Sequence, residues 1–528
     1  MTFMRHTKYL VAATLFAASI ANVYAQCPAR PASGSEVVDP YTIQPSNGVL
    51  QADMSLGQSV DQQGYTHYCY QYQSPNGVVE APTLRVNPGD TLQLNLTDVI
   101  QDNDASKMKM HHAAGGGPVC GDGGTATVSS TNVHFHGMPI PPVCHQDDVI
   151  NTLIQPGSAG FNFNIQIPAD NPPGLYWYHP HVHGFTEFQV NGGAAGALIV
   201  NGMEKFRPEV LGLTEKVFVI RQQYLVPWIP GPYQLSLNYQ VSLFPHAPAP
   251  YINIGPGEKQ FWRVANATLQ DFIPLQIIVN NKPEKLELIA LDGYPLAKTR
   301  NVETILIPPA GRAEFIVTGP PAGGSGAFIV GPYDTGPTGN PDVSAQLAAI
   351  VPVGGNLGGG SRPSPFSGNS QAAPAPKVKW SDEENVKVTA ERKLFFSEEF
   401  GGTNGPIQFY ITVQGQQQKV FDPNEKPVIR TKVGAVEDWT IENRALETHA
   451  FHIHQIHFKV LEVDGKKVPN SEILDTITVP YWEGSGPYHS VKLRMDFRDP
   501  TIAGTFLFHC HVLLHEDLGM MHKIQVDP

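Results

Sequence analysis

Twenty histidines are spread over 528 residues, a density at which about one His-x-His pair arises by chance. The sequence holds five such pairs, in His134-Phe-His136, His179-Pro-His181-Val-His183, His452-Ile-His454 and His509-Cys-His511. On an extended strand alternate side chains share a face, so each pair aims two imidazoles at one point. Imidazole suits copper, zinc, nickel and iron alike, so these pairs announce a metal without naming it.

Cys510 narrows the choice. Between His509 and His511 on a strand, its sulfur faces away from both imidazoles, and one short segment serves two sites. Downstream, Cys510-x4-His515-x4-Met520 offers a thiolate, an imidazole and a thioether at loop spacing. With His449 they make the two-histidine, one-cysteine set with a weak axial methionine that marks a blue-copper electron-transfer site. An isolated cysteine or methionine is ordinarily a core filler. In register with five histidine pairs, these two read as ligands.

The segments HFHG at His134, WYHPHVHG at Trp177, HAFHIH at His449 and HCHVLLHEDLGMM at His509 resemble the four copper-binding motifs of the three-domain multicopper oxidases, the laccase family. The resemblance covers essentially the whole chain after residue 25, including motif order and a middle unit with no His-x-His pair. It implies four copper ions. A type 1 copper would sit on His449, Cys510 and His515 with Met520 axial, and a type 2 copper on His134 and His452. A type 3 pair would take His136, His179, His181, His454, His509 and His511. The implied activity is one-electron oxidation of phenolic or aromatic donors coupled to four-electron reduction of dioxygen to water. Its partners would be small-molecule donors and dioxygen. His145, His183, His457, His111 and His112 match no ligand position and are expected at the surface or behind the ligands.

Making water consumes protons, so a carboxylate relay is expected near the shared cluster. Glu516 follows His515 directly and matches a glutamate that bacterial members of the family place beside the type 3 pair. Asp147 and Asp148, in PPVCHQDDV, resemble the family's aspartate near the type 2 site, and the spacing leaves open which one serves. Asp475, in LDTITV, matches a family position near the type 1 histidine, where it would accept a donor's proton. A thioether axial ligand lowers the type 1 potential relative to the leucine or phenylalanine of many fungal relatives, which favours electron-rich donors. The closest rival is a cuprous or other metal-ion oxidase, for which Met108 and Met110 in KMKMHH would be soft ligands beside His111 and His112. A non-catalytic relative kept for binding or envelope assembly would be expected to have lost ligands, and none of the implied positions is missing.

The elements that must hold these residues are strands. Fifty glycines and 47 prolines with 16% charged residues suit short strands and turns better than helices. The pattern PTLRVNPGDTLQLNLTD from Pro82 recurs as YINIGPGEKQFWRVANAT from Tyr251 and KPVIRTKVGAVEDWTIENRA from Lys426, each a strand, turn, strand unit. The expectation is an all-β chain of three cupredoxin-like Greek-key sandwiches, over 36–205, 206–352 and 391–528, with a Gly/Pro/Ser-rich linker over 353–390. Arg5 and Lys8, the apolar run Leu10–Val23 and a small-residue end at Ala25 read as a secretory signal over 1–25. Export is therefore expected, to the periplasm first and outside the cell as the alternative, with no membrane span. Gln26 argues against a lipid anchor on Cys27. The net charge of −13 disfavours nucleic acid and anionic membranes. Five cysteines leave one unpaired, taken here as Cys510. Cys27, Cys69, Cys120 and Cys144 allow three pairings, of which Cys27–Cys69 with Cys120–Cys144 closes the shortest loops. Asn95 and Asn266 head glycosylation triplets that would matter only in a eukaryotic secretory pathway.

Overall fold

The computed structural model describes residues 26–62, 64–101, 109–110, 119–223, 234–352, 386–401, 407–469 and 472–528. The expected signal at 1–25, most of the expected linker, Met108, His111 and His112 lie outside them, and Lys109–Met110 is described as backbone only. The chain is all-β, built as three successive sandwiches of two sheets each. None of the described helices is long and apolar enough to cross a membrane.

The three recurring sequence units take the same path. Thr83–Val86 runs parallel to Gly196–Val200, and the chain then changes sheet so that Thr91–Asp98 runs parallel to Val49–Val60. In the middle sandwich Tyr251–Ile254 lies beside Ala345–Pro352, and Lys259–Ala267 beside Thr214–Gln223. In the last, Ile429–Lys432 lies beside Met521–Asp527, and Ala435–Asn443 beside Ala390–Phe400. Each unit joins the two sheets of its sandwich and is not a hairpin. Its turn is made by a glycine at positive φ: Gly89 at 89°, Gly257 at 68° and Gly434 at 94°, a conformation that other residues adopt at a cost.

Each sandwich has its own apolar core. The burial of the strands tells which of them face only one core. Phe161–Gln166 alternates buried and exposed along FNFNIQ, as a strand with one face in water does. Gly174–His179 and His449–Ile453 are buried at every residue, because their outer faces meet a neighbouring sandwich. Leu175, Trp177, Ala195 and Ala197 of the first pack on Val217, Val219 and Ala265 of the middle one. Val190, Leu269 and Leu513 join all three. The disulfides are Cys27–Cys69 and Cys120–Cys144, and Cys510 is buried and unpaired. Asn266 is fully buried, its amide donating to Asp271 and Ile307 carbonyls at 2.8 and 3.0 Å, which closes it to a glycan.

Two buried carboxyls meet in the middle sandwich. Asp271 accepts from Gln222 Nε2 at 2.9 Å, and Asp342 accepts from Phe272 N at 2.8 Å. Burial pushes both carboxyls up, and Asp271 raises Asp342 further, to about 9. A carboxyl raised above its unfolded value, about 4, holds its proton better in the folded chain, so the stability it contributes is lost as pH rises through that interval. Thermal midpoints should therefore fall from about pH 6 to about pH 9, and Asp342→Asn should flatten that fall, gaining about 2 °C at the alkaline end. Calorimetry across the range checks it; parallel curves for variant and parent would refute it.

Candidate metal centre

The histidine pairs come together at the contact between the first and last sandwiches. His134–His136 pairs with Gly174–His179 so that His134 lies opposite His179, and His449–Ile453 pairs with Gly504–Cys510 so that His452 lies opposite His509. Ligand atoms of His134, His136 and His179 lie within 4.8 Å of one another, as do those of His134, His452 and His454, and those of His181, His454 and His509. His509 Nε2 is 3.1 Å from His454 Nε2 and 3.4 Å from His181 Nε2. His511 sets its ring edge-on to that of His136, with centres 5.1 Å apart.

The outward ring nitrogens are tied down. His134 Nδ1 meets both oxygens of Asp147 at 3.1 and 3.0 Å, and His136 Nε2 meets Asp475 Oδ1 at 3.2 Å. His452, His179 and His509 direct Nδ1 at the carbonyls of Asp475, Pro180 and Cys510 at 2.8, 2.9 and 2.9 Å. Among the described residues, His134 Nε2, His136 Nδ1, His179 Nε2, His452 Nε2, His454 Nδ1 and both nitrogens of His511 have no hydrogen-bond partner although buried. Buried polar atoms are nearly always paired, so this convergence of orphan nitrogens is a site built for something else. Burial also pushes the imidazoles down, His509 to about 4 and His179 to about 3, which keeps them neutral and able to ligate.

Cys510 ends its strand with its side chain on the other face. Its Sγ is 3.5 Å from His449 Nδ1 and 3.9 Å from His515 Nδ1, and those two nitrogens are 3.3 Å apart. Burial pushes the thiol up, so a cation must displace its proton to bind. Met520 is fully buried in the same core as Cys510; its amide bonds to the His515 carbonyl at 2.8 Å, and its carbonyl accepts from Cys510 N at 3.1 Å. Phe409 stacks on His515 with ring centres 4.0 Å apart. A thiolate, two imidazoles and a nearby methionine are a copper donor set, and the imidazole cluster accepts copper as well.

The carboxylates sort differently. Asp147 is the one at the cluster: besides His134 it takes Phe135 N at 3.0 Å and the Gln455 amide. Asp148 turns away and accepts from Asn151, since successive residues leave the turn in different directions. Glu516 lies 3.2 Å from His509 Nδ1 and 3.5 Å from His181 Nε2, fully buried, with burial pushing its carboxyl well up. Asp475 departs from expectation. It does not stand open at His449: it is fully buried, bonded to Arg312 and His136, because it ends the turn that brings Thr476–Val479 alongside His449–Ile453. It cannot meet an outside donor.

Of the remaining histidines, His457 donates to the Asp292 carbonyl at 2.9 Å, His183 packs on Phe421, and His145 bonds the Asn162 carbonyl at 2.7 Å. Sequence reasoning missed Glu398 and Glu447, whose carboxylates lie 3.5 Å from the outer nitrogens of His449 and His515. Glu447 stands two residues before His449, and that alternation was a usable signal; Glu398, on a distant strand, carried none.

Family models described as multicopper oxidase match residues 125–205 and 400–528. A multicopper oxidase of Staphylococcus aureus is 25% identical over 467 residues, 85% of this chain and 83% of that one. A laccase of Haloferax volcanii is 25% identical over 441 residues, 75% of this chain and 67% of that one. Among solved structures, a multicopper oxidase from Campylobacter jejuni described as a metallo-oxidase superposes with a TM-score of 0.67 at 23% identity, covering 94% of this chain and 96% of its own. One from Aquifex aeolicus gives 0.68 at 17% identity, over 94% and 100%.

Proposed function

The chain belongs to the multicopper oxidase family and is a copper-dependent oxidoreductase that uses dioxygen, and from that premise we propose that it oxidises phenolic and aromatic donors one electron at a time, reducing dioxygen to water. One observation carries the reading: Cys510 reaches into one donor set while the imidazoles of its neighbours His509 and His511 belong to the other. His449, Cys510, His515 and Met520 would hold a type 1 copper, His134 and His452 a type 2 copper, and His136, His179, His181, His454, His509 and His511 a type 3 pair. Copper held by these residues would supply the one-electron redox chemistry between donors at the cysteine set and dioxygen at the histidine set.

The chain's own residues do the rest. The Cys510 backbone links the two sets covalently, so donor and dioxygen never need to meet. Glu516, whose carboxyl burial pushes up so that it holds its proton more tightly than a free one, is the proton donor at the His509 side. Asp147 fixes His134 so that its Nε2 faces inward. At the cysteine set, Glu447 is the carboxylate that takes a phenol's proton, the part expected of Asp475, because it caps His515 and is 14% exposed while Asp475 is sealed. Export to the periplasm completes the proposal.

Oxidation of Cu(I) or another metal ion is a second reading, favoured by the carboxylate pair Glu398 and Glu447 at the outer nitrogens of His449 and His515. Oxygen uptake by the copper-loaded protein tests both, with 2,6-dimethoxyphenol, Cu(I) and Fe(II) as donors. Turnover of the phenol that falls about 10-fold or more in Glu447→Gln supports the first reading. Uptake with a metal ion alone transfers the assignment to the second, and no uptake with any donor removes both.

A further inference from the structure

We propose that Arg312, from the middle sandwich that supplies no ligand, is a positioning residue for the histidine cluster: its guanidinium fixes Asp475, and Asp475 sets which nitrogens of His136 and His452 turn inward. The inference rests on the reading that copper occupies that cluster.

The geometry is a fork on a carboxylate. Arg312 Nη1 donates to Asp475 Oδ1 at 2.8 Å and Nη2 donates to Oδ2, with both side chains fully buried. Two parallel bonds define the plane of the carboxylate in a way that one bond cannot. So held, Oδ1 also meets His136 Nε2 at 3.2 Å and takes Thr476 Oγ1 at 2.9 Å, while the Asp475 carbonyl takes His452 Nδ1 at 2.8 Å. Those contacts leave His136 Nδ1 and His452 Nε2 as the inward atoms, and both are among the orphans.

The middle sandwich grips the backbone at the same place. Asp292 Oδ1 accepts from Arg312 N at 2.9 Å, and Oδ2 accepts from Asp475 N and Thr476 N, each at 3.2 Å. Arg312 is anchored on its far side by the carbonyls of Ala310 at 3.0 Å and Leu175 at 3.3 Å. The first sandwich closes the junction with Gly137, at φ 82°, where an added Cβ would come within 2.5 Å of both Arg312 Nη2 and Asp475 Oδ2. The glycine that follows His134-Phe-His136 is thus required by a side chain from another sandwich. Without the guanidinium, Asp475 is a buried anion left with Thr476 Oγ1 and neighbouring imidazoles, and two parallel bonds no longer hold the plane of its carboxylate against His136.

The test compares Arg312→Gln and Arg312→Lys with the parent, full-length and loaded with copper. It reads copper per chain, the paramagnetic resonance of nitrogen-bound copper, and the blue absorption of the Cys510 set. Arg312→Gln should lower copper affinity of the histidine cluster by about 10–100-fold and alter its resonance while the blue absorption stays intact. Arg312→Lys should recover part of the loss, keeping the charge without the fork. A Gln variant with the parent's copper content and resonance overturns the proposal, and so does one that loses the blue absorption in step, which would make Arg312 a general folding residue. If Arg312→Gln does not fold, Gly137→Ala presses a methyl on the same pair and should shift the same resonance with the blue absorption kept; an unshifted signal overturns the proposal. A parent that loads no copper in the cluster removes the functional reading itself, and this inference with it.

Discussion

Cys510→Ser should stop donor-driven oxygen consumption outright and remove the blue absorption, while the histidine cluster keeps its copper. The selectivity follows from the strand. The serine hydroxyl still faces His449 and His515, but an alcohol neither ligates copper as a thiolate does nor provides the covalent path for electrons. His509 and His511 stay on the opposite face and lose nothing. The volume change is small and the site is buried, so the fold should survive. Metal analysis should show the loss of one copper per chain, and anaerobic addition of a donor should leave the remaining copper oxidised. A variant that still consumes oxygen with a phenol would refute the oxidase reading, because electrons would then be entering by a route that bypasses Cys510.

Glu516→Gln should slow oxygen turnover on the order of 10²–10⁴-fold, the usual range for removing a positioned acid, yet leave entry of the first electron unchanged. Burial, followed by the neighbouring Asp517, pushes the Glu516 carboxyl up, so it holds its proton more tightly than a free carboxyl beside His509 and His181. Glutamine keeps the size and loses the transferable proton. Anaerobic bleaching of the blue absorption by a donor should run at the parent's rate, since that step needs only the Cys510 set. Equal slowing of bleaching and turnover would reassign Glu516 to holding His509 in place. Asp517 would be a poor substitute target: its oxygens accept the backbone N–H groups of Gly184, Thr186 and Glu187 at 2.9, 3.2 and 2.8 Å, so its loss would unseat the segment that follows His183.

What could be read in advance was what neighbours in sequence dictate. The period of two on a strand gives the shared face of His134 and His136 and the opposed face of Cys510. The recurring strand, turn, strand units reveal a threefold all-β chain, though not that each crosses between sheets, because alternation is the same on either sheet. The carboxylates were harder. Asp147 and Asp148 are adjacent and chemically alike, and only the turn that carries them sends one to His134. Asp475 was expected beside the cysteine set, but the strand after it lines up His449 with Val479 and His452 with Thr476, which leaves Asp475 beyond the His452 end of the pairing. Arg312, Asp292 and Glu398 were invisible, since each acts on residues well over a hundred positions away or on a strand brought near only by folding.

The histidine cluster draws His134–His181 from the first sandwich and His452–His511 from the last, and this places metal loading late in the life of each molecule. A nascent chain that has released only its first sandwich displays imidazoles with half of their partners still unmade, while the Cys510 set does not exist at all. Loading is therefore a test of completion. A chain stopped or clipped before His509 forfeits both sites together, and with them the stability that bound metal adds to the folded state. Truncated copies should be colourless and easily degraded, so only molecules made to the end can reach dioxygen chemistry.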